Sequence, residues 1–171
     1  MRLALTHKFA IFLIAACAIH TWASGQNDST KSPSTGAVAA CPAAKLLKAA
    51  QIHGQWRVSF KSPPAGLPAT ATLLIERHAQ FGDSVAGSVS RNLVAPAPGH
   101  AARAQLAGDL EDGFLTLDES SNGISITGTW NAEVVEGSCG RSIRGTWKDT
   151  SSNAPPDAPE IAFTMERLAG W

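Results

Sequence analysis

The sequence predicts an all-β protein, an antiparallel up-and-down barrel of about eight strands preceded by a short N-terminal helix. Three observations carry this. From residue 54 onward, apolar and polar residues alternate with a period of two in short runs, and no helical period follows. Turn-forming residues separate the runs at about the spacing of a sandwich or barrel. One strand design also recurs, most fully as Ile126-Thr127-Gly128-Thr129-Trp130-Asn131 and Ile143-Arg144-Gly145-Thr146-Trp147-Lys148. Weaker echoes stand at Gly54-Gln55-Trp56, Gly87-Ser88-Val89 and Gly108-Asp109-Leu110.

The chain opens on an export segment. Charged residues from Arg2 to Lys8 precede the short apolar run Phe9 to Ile19, the pattern of a secretory signal and too short for a permanent span. Two processing readings stay open. Ile14-Ala15-Ala16-Cys17 resembles a lipobox, which would end the signal at residue 16 and make Cys17 the acylated start of an outer-membrane lipoprotein. Thr21-Trp22-Ala23 offers a small-residue cleavage site, a signal over 1–23 and a soluble periplasmic product. Residues 24–40 are polar, with the composition of a flexible linker, and the barrel domain spans 41–171.

Within that domain Ala43 to Ala50 is rich in alanine and leucine and reads as the short helix. Strands are expected at 54–61, 69–80, 84–93, 102–111, 114–120, 124–136, 141–149 and 160–168. Asp112-Gly113 and Asn122-Gly123 are two-residue hairpin signals that set the register. They place Leu110 against Leu115, Leu115 against Trp130, and, across Gly137-Ser138-Cys139-Gly140, Trp130 against Trp147. One inner layer of Leu110, Leu115, Trp130 and Trp147 then crosses four strands. Gly108, Leu117 and Gly128 form the next. For the second hairpin, an even loop at Phe81-Gly82-Asp83-Ser84 would turn Glu76 and His78 inward, and an odd or bulged loop would turn Ile75 and Arg77 inward; the second is favoured because Ile75 continues the Ala71, Leu73 face. Proline-rich connections gather at one mouth, with only Asn122-Gly123 short there, while the other end has short turns.

Cys41 and Cys139 come out at that tight end. In an exported chain an oxidising compartment makes them a disulfide pair, and a loop of about a hundred residues closed this way is worth roughly 2–5 kcal/mol.

The short helix leading into Gly54-Gln55-Trp56 and the late Arg167 in Phe163-Thr164-Met165-Glu166-Arg167 resemble the calycin superfamily: lipocalins, fatty-acid-binding proteins, avidins and small bacterial metalloprotease inhibitors. The resemblance covers roughly residues 43–168. It implies that Trp56 closes the barrel floor and that Arg167 stacks on it, a structural pair. It does not carry biotin binding, because Val58 stands where avidins have asparagine and the chain has no tyrosine. Nor is a protease-inhibitory motif visible in the stretch before Cys41.

Catalytic patterns are thin, and no enzyme, cofactor or metal is expected. His53, His78 and His100 lie on separate segments without metal-ligand spacing, and Asp109, Glu111 and Asp112 read as a solvated rim. A formal net charge of zero offers no basic face for nucleic acid. Membrane contact would come only through a lipid on Cys17. The functional expectation is an exported envelope barrel that binds a small hydrophobic ligand against Trp130, Trp147, Leu115 and Leu110. The alternative is an envelope interaction protein or protease inhibitor with a packed, ligand-free barrel.

Overall fold

In the computed structural model, residues 41–92 and 102–170 are described. The export segment, Cys17, the linker and His100 lie outside them. Eight antiparallel strands close into a barrel in chain order: β1 (Gly54–Phe60), β2 (Thr70–Arg77), β3 (Ser84–Arg91), β4 (Arg103–Glu111), β5 (Phe114–Ser120), β6 (Gly128–Val134), β7 (Ser142–Asp149) and β8 (Glu160–Arg167). Closure through β1 and β8 leaves no unpaired edge.

The expected N-terminal helix is instead two 3₁₀ turns, Ala44–Leu46 and Ala49–Ile52. About two turns of alanine and leucine are too short to hold a helix by propensity alone. Here tertiary contacts decide the conformation, since Leu47 and Ile52 are buried over the tight end of the barrel. The Trp56 indole N–H donates to the Ile52 carbonyl at 2.9 Å.

The alternating pattern translates directly into faces. Trp56, Val58 and Phe60 of β1 are buried between exposed Arg57 and Ser59, and Ile161, Phe163 and Met165 of β8 repeat the pattern. Val134 pairs with Ile143, Ala132 with Gly145 and Trp130 with Trp147, as expected. Leu110 likewise meets Leu115 across Asp112-Gly113, whose φ values of 49° and 84° are those of a tight primed turn. Ile75 points inward opposite Gly87, while Glu76 and Arg77 are exposed.

The Asn122-Gly123 expectation fails. Those residues lie within a longer loop, 121–127, and β6 begins at Gly128 rather than 124. Asn122 folds the loop on itself, its Oδ1 accepting the N–H groups of Ile124 and Ser125 at 2.9 Å each. The β5–β6 register consequently slips by two residues: Leu117, not Leu115, faces Trp130, and Glu119, not Leu117, faces Gly128. Because the slip is even, every inward residue stays inward but changes its neighbours.

Glycine permits the curvature. A Cβ at Gly87 or Gly108 would overlap the backbone of the neighbouring strand at Leu74 or Thr116, and one at Gly145 would overlap Asn131 and Ala132. At these points the strands approach too closely for any side chain. At the tight end Cys41 and Cys139 form a disulfide across 98 residues of sequence, with Cα atoms 4.9 Å apart.

Two outcomes follow for urea unfolding. Gly108→Ala is expected to destabilise by about 1–3 kcal/mol through that overlap, with the midpoint lowered at an unchanged slope. Cys139→Ser is expected to cost about 2–5 kcal/mol, matched by reducing the wild-type chain.

Candidate functional site

The slipped register places a charged cluster in the apolar lumen. Glu119 continues the inward series Leu115, Leu117 at the end of β5, and Arg91 continues Val85 and Val89 at the end of β3. Both lie at the loop-rich mouth. Their pairing is bidentate, Arg91 Nη1 to Glu119 Oε1 and Nη2 to Oε2, each at 2.6 Å, with side-chain exposures of 0% and 2%. Two tryptophans complete the cluster. The indole N–H groups of Trp130 and Trp147 both donate to Glu119 Oε2, at 3.1 and 3.2 Å. The Arg91 guanidinium carbon lies 5.8 Å from the Trp130 ring and 5.4 Å from the Trp147 ring.

Local sequence explains why this assembles. Gly128 stands directly across from Glu119. A Cβ there would come within 2.6 Å of the Trp147 Nε1, so only glycine leaves the indole its path to the carboxylate. Around the cluster the rings of Phe60, Trp130, Trp147 and Phe163 pack in tilted and edge contacts, with centroids 5.1 to 6.3 Å apart. The lumen at this level is filled by side chains.

Energetically the pair is double-edged. Desolvating two charges costs several kcal/mol each, which bidentate geometry and added hydrogen bonds only then offset. Glu119 has its carboxylate oxygens well provided for, whereas Arg91 Nε is buried without a hydrogen-bond partner. The cluster therefore imposes one arrangement of four strands more than it adds net stability.

The four residues expected to line a ligand are spread over two levels. Trp130 and Trp147 belong to the cluster, while Leu115, buried, and Leu110, half-buried, sit on the next level with Ala132 and Gly145. At the opposite end Trp56 faces Arg167 across the β1–β8 ladder. There Arg167 donates from Nη1 to the Gln51 carbonyl at 3.0 Å and from Nη2 to the His53 carbonyl, tying the last strand to the chain that precedes β1. Among the described residues, the cation–π contacts are those of Arg91. His78 is held locally, its Nδ1 accepting from the N–H groups of Gln80 and Phe81, and no group of three or more His, Cys, Asp or Glu among the described residues is placed to hold a metal ion.

Outside the wall, an apolar cleft of about 530 Å³ crosses the outer face of β5 to β8 between Phe114, Thr146, Ala162 and Thr164. The exposed Arg144–Glu133 ion pair, at 2.6 Å, also lines it.

Sequence reasoning missed Arg91 and Glu119. The signal was there: each falls on the inward parity of its strand, at the same mouth, with opposite charge. No family model matches the chain, and no curated protein matches it.

Removing one partner is expected to separate a structural cluster from a passive one. Glu119→Ala leaves Arg91 buried and uncompensated and should lower unfolding free energy by about 3–5 kcal/mol. The double variant Arg91→Met with Glu119→Leu should recover most of that loss. A Glu119→Ala effect confined to a few tenths of a kcal/mol would contradict the assignment.

Proposed function

We propose that the protein is an exported interaction module whose barrel is solid, so that its surface and loops, rather than its lumen, meet its partner. One observation carries this reading. Trp130 and Trp147, the side chains best suited to grip a hydrophobic ligand, are engaged with Glu119 and Arg91 and closed over by Phe60 and Phe163. A hydrophobic guest would have to displace that cluster and strand a buried ion pair. Fold alone assigns no activity, since barrels of this size hold either side chains or one small ligand.

Export to the periplasm or outer membrane rests on the signal-like start of the chain, and the Cys41–Cys139 disulfide suits an oxidising compartment. We also group the barrel with the calycins. The closed eight-strand order, Trp56 on β1 and Arg167 on β8 support the grouping.

Native mass spectrometry of protein purified from the periplasm tests the reading. The expected spectrum is the processed polypeptide alone, with tryptophan emission unmoved by long-chain fatty acids. A stoichiometric small molecule retained by the wild type, and lost in a folded Trp147→Ala variant, would overturn it and restore the ligand-binding expectation.

A further inference from the structure

Residues 41–53 cross the tight end of the barrel as a strap whose two halves are fastened differently. In the rear half Leu47, Ala49 and Ile52 are buried. The Ile52 carbonyl accepts the Trp56 indole N–H, and the Gln51 and His53 carbonyls accept the Arg167 guanidinium. The front half, 41–46, contains no buried residue. Among the described residues it is attached to the barrel by the Cys41–Cys139 disulfide and by the Ala44 N–H, which donates to Glu136 Oε2 at 3.0 Å on the surface. An exposed hydrogen bond gains little over its exchange with water, so the covalent link decides whether this half stays down.

The front half also closes off part of the outer surface. Its backbone rests on the β4–β5 turn, where a Cβ at Gly113 would come within 3.0 Å of the Ala44 carbonyl carbon. Ala43 and Ala44 form one wall of a depression of about 330 Å³ whose remaining lining includes Phe114, Glu133 and Arg144. Those three residues also line the outer cleft, so lifting 41–46 would join depression and cleft into one groove.

The disulfide is open to attack. Cys139 is exposed and Cys41 half-buried. Cys139 also holds a φ of 55°, in the left-handed region that a residue with a Cβ adopts at a cost, between Gly137 and Gly140 at 76° and 69°. Exposed or strained disulfides are the labile ones, in contrast to the reduction-resistant bridges that serve structure alone.

We infer that Cys41–Cys139 is a redox latch: reduction by a dithiol frees residues 41–46 and opens the depression into the outer cleft, while the rear half of the strap and the barrel stay folded. A thiolate of the dithiol attacks Cys139 Sγ, the S–S bond breaks, and Cys41 Sγ leaves as a thiolate and takes up a proton. The second thiol of the reductant then displaces Cys139 Sγ from the mixed disulfide. The dithiol ends as a cyclic disulfide, and two electrons and two protons have passed to the protein. The latch lies at the opposite end from Glu119 and operates with or without a solid lumen.

Dithiothreitol added to the full chain without denaturant tests the latch, with amide exchange followed by NMR. The reporters are the Leu46 and Leu47 N–H groups, which donate to the Ala43 and Ala44 carbonyls at 2.9 and 3.1 Å within the first turn. Reduction is expected to outpace global unfolding. In the reduced chain the two reporters should exchange at least about tenfold faster, through an opening insensitive to low denaturant, while the indole N–H signals of Trp130 and Trp147 keep their positions. Reoxidation should restore protection. The double variant Cys41→Ser with Cys139→Ser should match the reduced chain, and Glu136→Ala in the oxidised chain should affect the reporters far less.

Reduction that proceeds only as fast as the barrel unfolds would overturn the latch and leave a purely structural bridge. Unchanged exchange at Leu46 and Leu47 after reduction would overturn it as well, and so would collapse of the dispersed barrel signals. A small molecule retained in the lumen would remove the solid-barrel reading and leave the latch standing.

Discussion

A charged hydrogen-bond centre at one mouth of the lumen, Glu119 bridging Arg91, Trp130 and Trp147, is the constraint on which the rest of the structure depends. It joins β3 to the consecutive strands β5, β6 and β7, tying together strands that do not all pair directly in the ladder. In an interior of low effective dielectric each of these bonds is strong when made and costly when lost. A one-residue slip of β5 would turn Glu119 to solvent and leave Arg91 alone inside. A two-residue slip would keep it inside but carry it away from both indoles. The cluster thus selects one register among alternatives that hydrophobic pattern alone treats as nearly equal.

Glycines make that selection sterically feasible. Gly128 vacates the space that the Trp147 indole crosses, and Gly87, Gly108 and Gly145 let adjoining strands bend into contact. The repeated Gly-Thr-Trp motif follows from this geometry. In each copy the glycine removes a side chain from the inner face, and the tryptophan two residues later fills the lumen from the same face. At the other end the disulfide and the Arg167 hydrogen bonds to Gln51 and His53 fasten the chain entering β1, so the barrel is closed at both ends by different chemistry.

Much of the fold is legible in the sequence because period-two alternation and Asp-Gly turn chemistry are local signals. β1, β4, β5 and β7, the Leu110–Leu115 and Trp130–Trp147 pairs and the inward Ile75 all follow from them. Asn122-Gly123 misleads because its asparagine also braces a longer loop, and which of the two forms depends on where Glu119 finds its partner, a long-range matter. The helix expectation fails for a similar reason, since burial of Leu47 and Ile52 against the barrel overrides the propensity of a two-turn segment. Half of the candidate site, the tryptophan pair, was readable from register. Arg91 and Glu119 were hidden by the ordinary presumption that charges face water, although their strand parity contradicts it.

The central claim is that the lumen is solid around Glu119, and hydrogen exchange of the two indole N–H groups followed by NMR addresses it most directly. If Trp130 and Trp147 are locked on the carboxylate in a filled interior, both protons should exchange only through global unfolding, their rates tracking the stability measured by denaturant. Exchange within minutes under native conditions, through an opening independent of global stability, would show an accessible lumen and contradict the account.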